Sequence, residues 1–185
     1  TPLPDKLSFA AGATLGIPGM TAWCCLYCDG PITGQTVLVT GGAGAVGHYA
    51  VQLAKWGGAR VIATVSSAAK AEQARLAGAD LVINYKSEDV VAKAMAFTGQ
   101  RGVDRVVDVD FGGNIDTTLK LMGMNSTIAV YATNGNRTPV VPMRELMEKC
   151  IALRALVLFA LPRPLLAAAQ ADISKWLVAG SRLNN

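Results

Sequence analysis

Short apolar runs alternate with longer segments of helical spacing along this chain. Runs at 36–40, 60–65, 81–84, 103–109, 127–132 and 151–159 are rich in Val, Ile and Leu and bounded by turn residues, so they read as strands. Helical segments fall between them, at 45–56, 68–77, 88–97, 115–122 and 142–148, with a last one near 165–178. An apolar segment, Ser8–Cys28, precedes them all. It reads as a helix broken by Gly16-Ile17-Pro18 and stopped by Asp29-Gly30-Pro31. Ser66-Ser67 and Ser87 are the expected caps, Gly57-Gly58 and Gly78 the expected stops, and Phe111-Gly112-Gly113 the expected end of the fourth strand. The regular alternation predicts an α/β chain with a doubly wound parallel sheet of six strands and helices on both faces. Strands apolar at both parities suit a sheet buried on both sides.

The first strand carries the chemistry. Thr36-Val37-Leu38-Val39-Thr40-Gly41-Gly42-Ala43-Gly44-Ala45-Val46-Gly47 is a strand, a G-x-G-x-x-G turn and the start of a helix, with a second strand at Arg60–Val65. In that setting Gly42 allows the tight turn, Gly44 lets a pyrophosphate approach the backbone, and Gly47 lets the helix pack on the strand. The free N–H groups that open the helix at Ala45 and Val46 then face the phosphates. A Rossmann-type dinucleotide-binding domain over residues 1–185 is the expectation.

The hydrophobic fraction of 51% and mean hydropathy of +0.34 fit such a sheet. The most apolar stretch, Ile151–Ala169, is interrupted by Arg154, Pro162, Arg163 and Pro164, which argues against a membrane span. No signal-peptide pattern opens the chain, and the expected location is the cytoplasm. The 17 Lys and Arg against 13 Asp and Glu are scattered without a stripe, which argues against nucleic acid. Cys25-x-x-Cys28 lacks a second Cys pair, and the only His, His48, is distant, so no metal site is expected. Cys24, Cys25 and Cys28 read as buried thiols on an apolar helix, and His48 as a helix-surface residue.

Several further motifs stand in one order. Ala13-Thr14-Leu15-Gly16-Ile17-Pro18-Gly19-Met20-Thr21-Ala22 opens the chain's helical segment; Gln52-Leu53-Ala54-Lys55 follows the glycine turn; then come Gly78-Ala79-Asp80, Ile83-Asn84-Tyr85-Lys86, Gly102-Val103-Asp104, and Asp108 through Gly113. With these the chain resembles the cofactor-binding domain of a zinc-independent medium-chain dehydrogenase/reductase of the quinone oxidoreductase (zeta-crystallin-like) branch. Two departures stand out. Nothing here resembles the family's GroES-like catalytic barrel, so the chain reads as a domain-sized fragment, inactive alone. Met124-Asn125-Ser126 stands where the family has a glycine-rich turn before the fifth strand.

The end of strand two, Ala63-Thr64-Val65-Ser66-Ser67, carries no carboxylate to bind a ribose 2′-OH. Ser66 and Lys70, four residues on, suit a phosphate instead. The resemblance implies that positions matching Ser66, Lys70 and Tyr85 hold the 2′-phosphate of NADPH, and that Thr21, Val109 and Tyr131-Ala132-Thr133 surround the nicotinamide and its ribose. Asp108 and Asp110 offer themselves as catalytic acids, but Asp108 at a strand end reads as a structural turn-former. No catalytic residue is assigned within the chain.

The resemblance further implies hydride transfer from NADPH to a quinone or enone. It also implies a homodimer paired along the edge strand Ile151–Phe159. Two other readings fit the same residues: an enoyl reductase module of a multifunctional synthase, and a non-catalytic nucleotide-binding or structural protein.

Overall fold

The computed structural model describes residues 7–179. Its six strands form one parallel sheet: β1 (Thr36–Val39), β2 (Arg60–Val65), β3 (Leu81–Asn84), β4 (Val103–Asp108), β5 (Met122–Val130) and β6 (Ala152–Ala155). Their spatial order is β3-β2-β1-β4-β5-β6. The chain therefore winds outward from β1 to β3, returns to β4 on the other side of β1, and winds outward again. That reversal opens a crevice between the C-terminal ends of β1 and β4, where open α/β sheets bind ligands.

The unbroken apolar runs of the strands are explained by two cores. Val37 and Val39 point to one face, where they meet Leu26, Tyr49, Leu53 and Trp176; Leu38 points to the other, with Ile62, Ile83, Leu121 and Ile128. The first face is covered by α2 (Gly16–Tyr27), α3 (Ala45–Trp56), α4 (Ala68–Leu76) and α8 (Arg163–Val178). The second is covered by α5 (Val90–Phe97), α6 (Phe111–Leu121) and the short α7 (Met143–Glu148); α1 (Phe9–Ala13) precedes α2. Each fully buried Leu or Ile contributes about 1.5–3 kcal/mol, so alternation within a strand stabilises both layers at once.

Several expected boundaries move, each for a local reason. The opening helix breaks at Thr14-Leu15, and Pro18 lies inside the first turn of α2, where its missing N–H leaves no bond unmade. The cap of α5 is Asp89, whose Oδ1 accepts the Ala92 N–H at 2.9 Å; Ser87 instead closes a turn onto Asn84 O. Phe111-Gly112-Gly113 does not merely end β4 but opens α6. Strand β5 begins five residues early, straight from α6, and absorbs Met124-Asn125-Ser126 with Asn125 at φ 54° and a register irregularity between Val103 and Arg105.

The sixth strand is much shorter than 151–159. After Ala155 the chain curls so that Leu156 and Leu158 enter the core while Val157 and Phe159 face outward, and Leu158–Ala160 is a 3₁₀ turn. Strand β6 is a sheet edge, and all four of its residues are exposed.

Candidate functional site

Two strand-to-helix corners meet in the crevice. At the first, β1 turns into α3. The residue that needs the left-handed backbone region is Gly41, at φ +67°, and not Gly42 as the glycine spacing suggested. A Cβ on Gly42 would lie 2.7 Å from Ala63 Cβ, so Gly42 serves the packing of the turn against β2. A Cβ on Gly47 would lie 2.2 Å from Gly41 O, so Gly47 allows α3 to sit on the turn. Gly44 is the N-cap, with extended backbone and only Gly41 O within reach of an added Cβ, at 3.2 Å. No side chain caps α3 and no acid lies in its first turn. The N–H groups of Ala45, Val46 and Gly47 belong to that turn, which has no intrahelical acceptors, and the helix dipole favours an anion there.

A cleft of about 300 Å³ lies over this corner. It brings together Gly44, Ala45, Val46, Ser66, Lys70, Tyr85, Val109 and Tyr131 from the expected set, with Gly41, Ala43 and Val65. Ser67 Oγ accepts the Lys70 N–H and so caps α4. Ser66 is left to face Lys70, whose Nζ donates to Ser66 Oγ at 3.1 Å. Ser66, Lys70 and Tyr85, the residues expected to meet a 2′-phosphate, thus line one cleft. Gly42 and Gly47 stand behind the turn and shape it. Thr21 is buried on α2, and neither it nor Thr133 lines the cleft. The Thr133 hydroxyl accepts from Gly112 N–H at 3.1 Å and donates to Asn136 O at 2.6 Å.

A larger cavity of about 680 Å³ adjoins the cleft and shares Gly41, Tyr85 and Val109 with it. Asp110, Asn114 and Thr117 of the second corner line it; of these only Asp110 stood out in the sequence, beside Asp108. No short motif marks Asn114 or Thr117. Gly41 did have a signal, since it directly precedes the spaced glycines.

At the second corner, β4 turns into α6 around Asp108, which is fully buried. Its oxygens accept from the Thr40 hydroxyl (3.0 Å), the Asp110 N–H (2.9 Å), the Asn114 amide (2.7 Å) and the Thr118 hydroxyl (3.5 Å). A carboxylate so surrounded is a structural knot, as the turn-former reading expected. Thr40 Oγ1 in turn accepts the Val109 N–H at 2.9 Å, which fixes Val109 on the cleft wall.

His48 departs from expectation: it is only 9% exposed, and burial pushes its pKa below the usual value. Residues Gly47 to Ala54 of α3 are all buried, which the local spacing did not reveal. Burial likewise raises the Cys24 thiol to about 12, with the neighbouring Cys28 adding to the shift, and raises Cys25 further. Those thiols are chemically quiet packing groups. Among the described residues no cluster of His, Cys, Asp or Glu could hold a metal ion, and no helix is long and apolar enough to cross a membrane.

Residues 45–170 match the family described as zinc-binding dehydrogenase. The rat (Rattus norvegicus) quinone oxidoreductase is 32% identical over 136 residues, 73% of this chain and 41% of that protein. The bovine (Bos taurus) prostaglandin reductase 1 is 31% identical over 187 residues, 96% of this chain and 56% of that protein. The crystal structure of Escherichia coli quinone oxidoreductase complexed with NADPH superposes with a TM-score of 0.85 at 28% identity, covering 97% of this chain and 56% of that one. The chain thus spans about half the length of the relatives it matches. The glycine corner, the reversed sheet order and these likenesses agree: the chain belongs to the zinc-binding dehydrogenase family, in its quinone oxidoreductase-like branch.

Proposed function

We propose that this chain is the NADPH-binding domain of an oxidoreductase that reduces a quinone or an enone. The observation that carries the reading is the Ser66–Lys70 pair. It closes β2 where an NAD-preferring domain has a carboxylate, and it opens into the same cleft as the uncapped start of α3. The NADPH complex of the similar Escherichia coli protein supports it.

In this reading the N–H groups of Ala45, Val46 and Gly47, after the N-cap Gly44, would hold the pyrophosphate. Ser66, Lys70 and Tyr85 hold the 2′-phosphate, by a hydroxyl, an ammonium and a phenol. Val109 and Tyr131, which line the same cleft, would flank the nicotinamide end. NADPH, when bound, supplies the hydride, and this chain's residues bind it, orient it and keep water from one face. No catalytic acid or base is assigned to these residues, and substrate binding falls to a GroES-like barrel of the kind the resemblance implies. The exposed edge strand β6 pairs with a second copy of the chain, giving a homodimer. Sedimentation at high micromolar concentration checks this; a strict monomer removes the dimer from the reading.

Calorimetric titration of wild type and Lys70→Ala with NADPH and NADH tests the cofactor assignment. Wild type should favour NADPH. The variant should lose about tenfold toward NADPH and little toward NADH, the low end for a charge-assisted contact because Lys70 is exposed. Equal losses for the two nucleotides would overturn the assignment.

A further inference from the structure

The ends of β4 and β5 remain joined after both strands stop. Tyr131 N–H donates to Asp108 O at 3.2 Å, and Phe111 N–H donates to Ala132 O at 3.1 Å. Beyond that point side chains take over. Thr133 Oγ1 bridges Gly112 N–H and Asn136 O, and Asp110 Oδ1 accepts the Gly135 N–H at 2.8 Å. The loop lies close against the start of α6 at two glycines. A Cβ on Gly112 would be 1.9 Å from Asn136 O, and one on Gly135 would be 2.5 Å from Asp110 Oδ2.

The two cleft walls at this end share Asp108, whose carbonyl accepts the Tyr131 N–H, but differ in their side-chain ties. Val109 is fixed from behind, by Thr40 and the buried Asp108. Tyr131 lies at the start of a loop whose side-chain ties to the second corner are Thr133 and Asp110. We propose that Asp110 is a positioning residue for the nicotinamide half of the bound cofactor. It latches the loop 133–136 onto the start of α6 and so fixes the Tyr131 wall opposite Val109. This rests on the NADPH reading above. It gives the two aspartates of Asp108-Val109-Asp110 separate tasks: the first builds the corner, and the second holds the neighbouring loop against it.

The test compares two ligands that share the adenosine 2′-phosphate end and differ in the nicotinamide end. NADPH and 2′-phospho-ADP-ribose are titrated by calorimetry into the chain and its variants. Asp110→Ala should weaken NADPH by about tenfold, the scale of one lost charge-assisted bond, and leave 2′-phospho-ADP-ribose within about twofold. Asp110→Asn keeps an acceptor oxygen for Gly135 and should restore most of the NADPH affinity. Gly135→Ala attacks the latch from the loop side and should repeat the selective loss, which covers the case of an Asp110→Ala variant that does not fold. Parallel losses for both ligands, or no loss for either, would overturn the proposal while leaving the NADPH reading intact. A wild-type chain that binds neither ligand would overturn the NADPH reading itself, and this proposal with it.

Discussion

The corners β1–α3 and β4–α6 stand side by side at the same end of the sheet, and they solve one problem in opposite ways. Each must turn a buried strand into a helix while leaving polar groups for a ligand. The first does it by removing side chains: Gly42 and Gly47 are sites where a Cβ would collide with Ala63 or with the backbone of Gly41. The second does it by adding one, the Asp108 carboxylate, on which two hydroxyls, an amide and a backbone N–H converge. A corner made of close backbone contacts is intolerant of any atom added. A corner made of hydrogen bonds is intolerant of any acceptor removed.

The sharpest way to break the comparison is to add atoms to the first corner. Gly47→Ala places a Cβ 2.2 Å from a backbone carbonyl, which no rotamer change relieves. The variant should lose about 3 kcal/mol or more, with a melting temperature lower by roughly 6–12 °C, and should lose nucleotide binding as well. Gly44→Val is the contrast. Gly44 has φ −75° and ψ 169°, which Val adopts freely, and an added Cβ meets only Gly41 O at 3.2 Å. It should fold with a loss of about 1 kcal/mol, typical of a poor N-cap, yet bind no NADPH because the branched side chain fills the phosphate's approach. Calorimetry and thermal melts separate the two. A Gly44→Val chain that folds and binds NADPH as well as wild type removes the phosphate from that turn.

At the second corner the matching change is a deletion. Asp108→Ala leaves the Thr118 hydroxyl, the Asn114 amide and the Asp110 N–H without this acceptor, and leaves the Thr40 hydroxyl only Val107 O. A loss of about 2–3 kcal/mol is expected from chemical denaturation. NADPH affinity should fall less steeply than in Gly44→Val, since Val109 shifts but the phosphate turn stays. An Asp108→Ala chain as stable as wild type would show that the knot holds nothing together.

The same contrast explains what could be read from the sequence. The first corner is local: its glycines, strand and helix are contiguous, so its spacing was legible, and only the residue with positive φ was misplaced, by one. The Ser66–Lys70 pair was legible because one helical turn separates its members. The second corner is assembled across the chain. Thr40, Asp108, Asn114 and the loop at Thr133–Asn136 meet only after β1, β4 and β5 align, so Gly112-Gly113 read as the end of a strand rather than the start of a helix. The sixth strand failed for a related reason. Val157 and Phe159 favour a strand locally, but the burial of Leu156 and Leu158 curls the chain away after Ala155. His48 shows the limit of helix-face reasoning, since nothing in α3 alone tells which of its sides a second layer will cover.

That histidine offers the mildest test of the comparison, because it makes the first corner's helix sensitive to acid. His48 lies in the second turn region of α3, just after Gly47, and is almost fully buried. Burial disfavours its charged form and lowers its pKa from the ordinary 6.5. The unfolded chain therefore takes up a proton near pH 6.5 that the folded chain refuses until the pH is lower. The contribution of the neutral, buried ring is complete above pH 6.5 and is lost progressively as the pH falls through the lower, folded value. Melting temperatures measured between pH 7.5 and 5.5 should thus decline shallowly for wild type and less for His48→Gln, which fills similar space without titrating. The carboxylates act alike in both chains, so the difference between the two curves isolates the ring. Curves that run parallel over that range would mean that His48 reaches solvent easily in its protonated form.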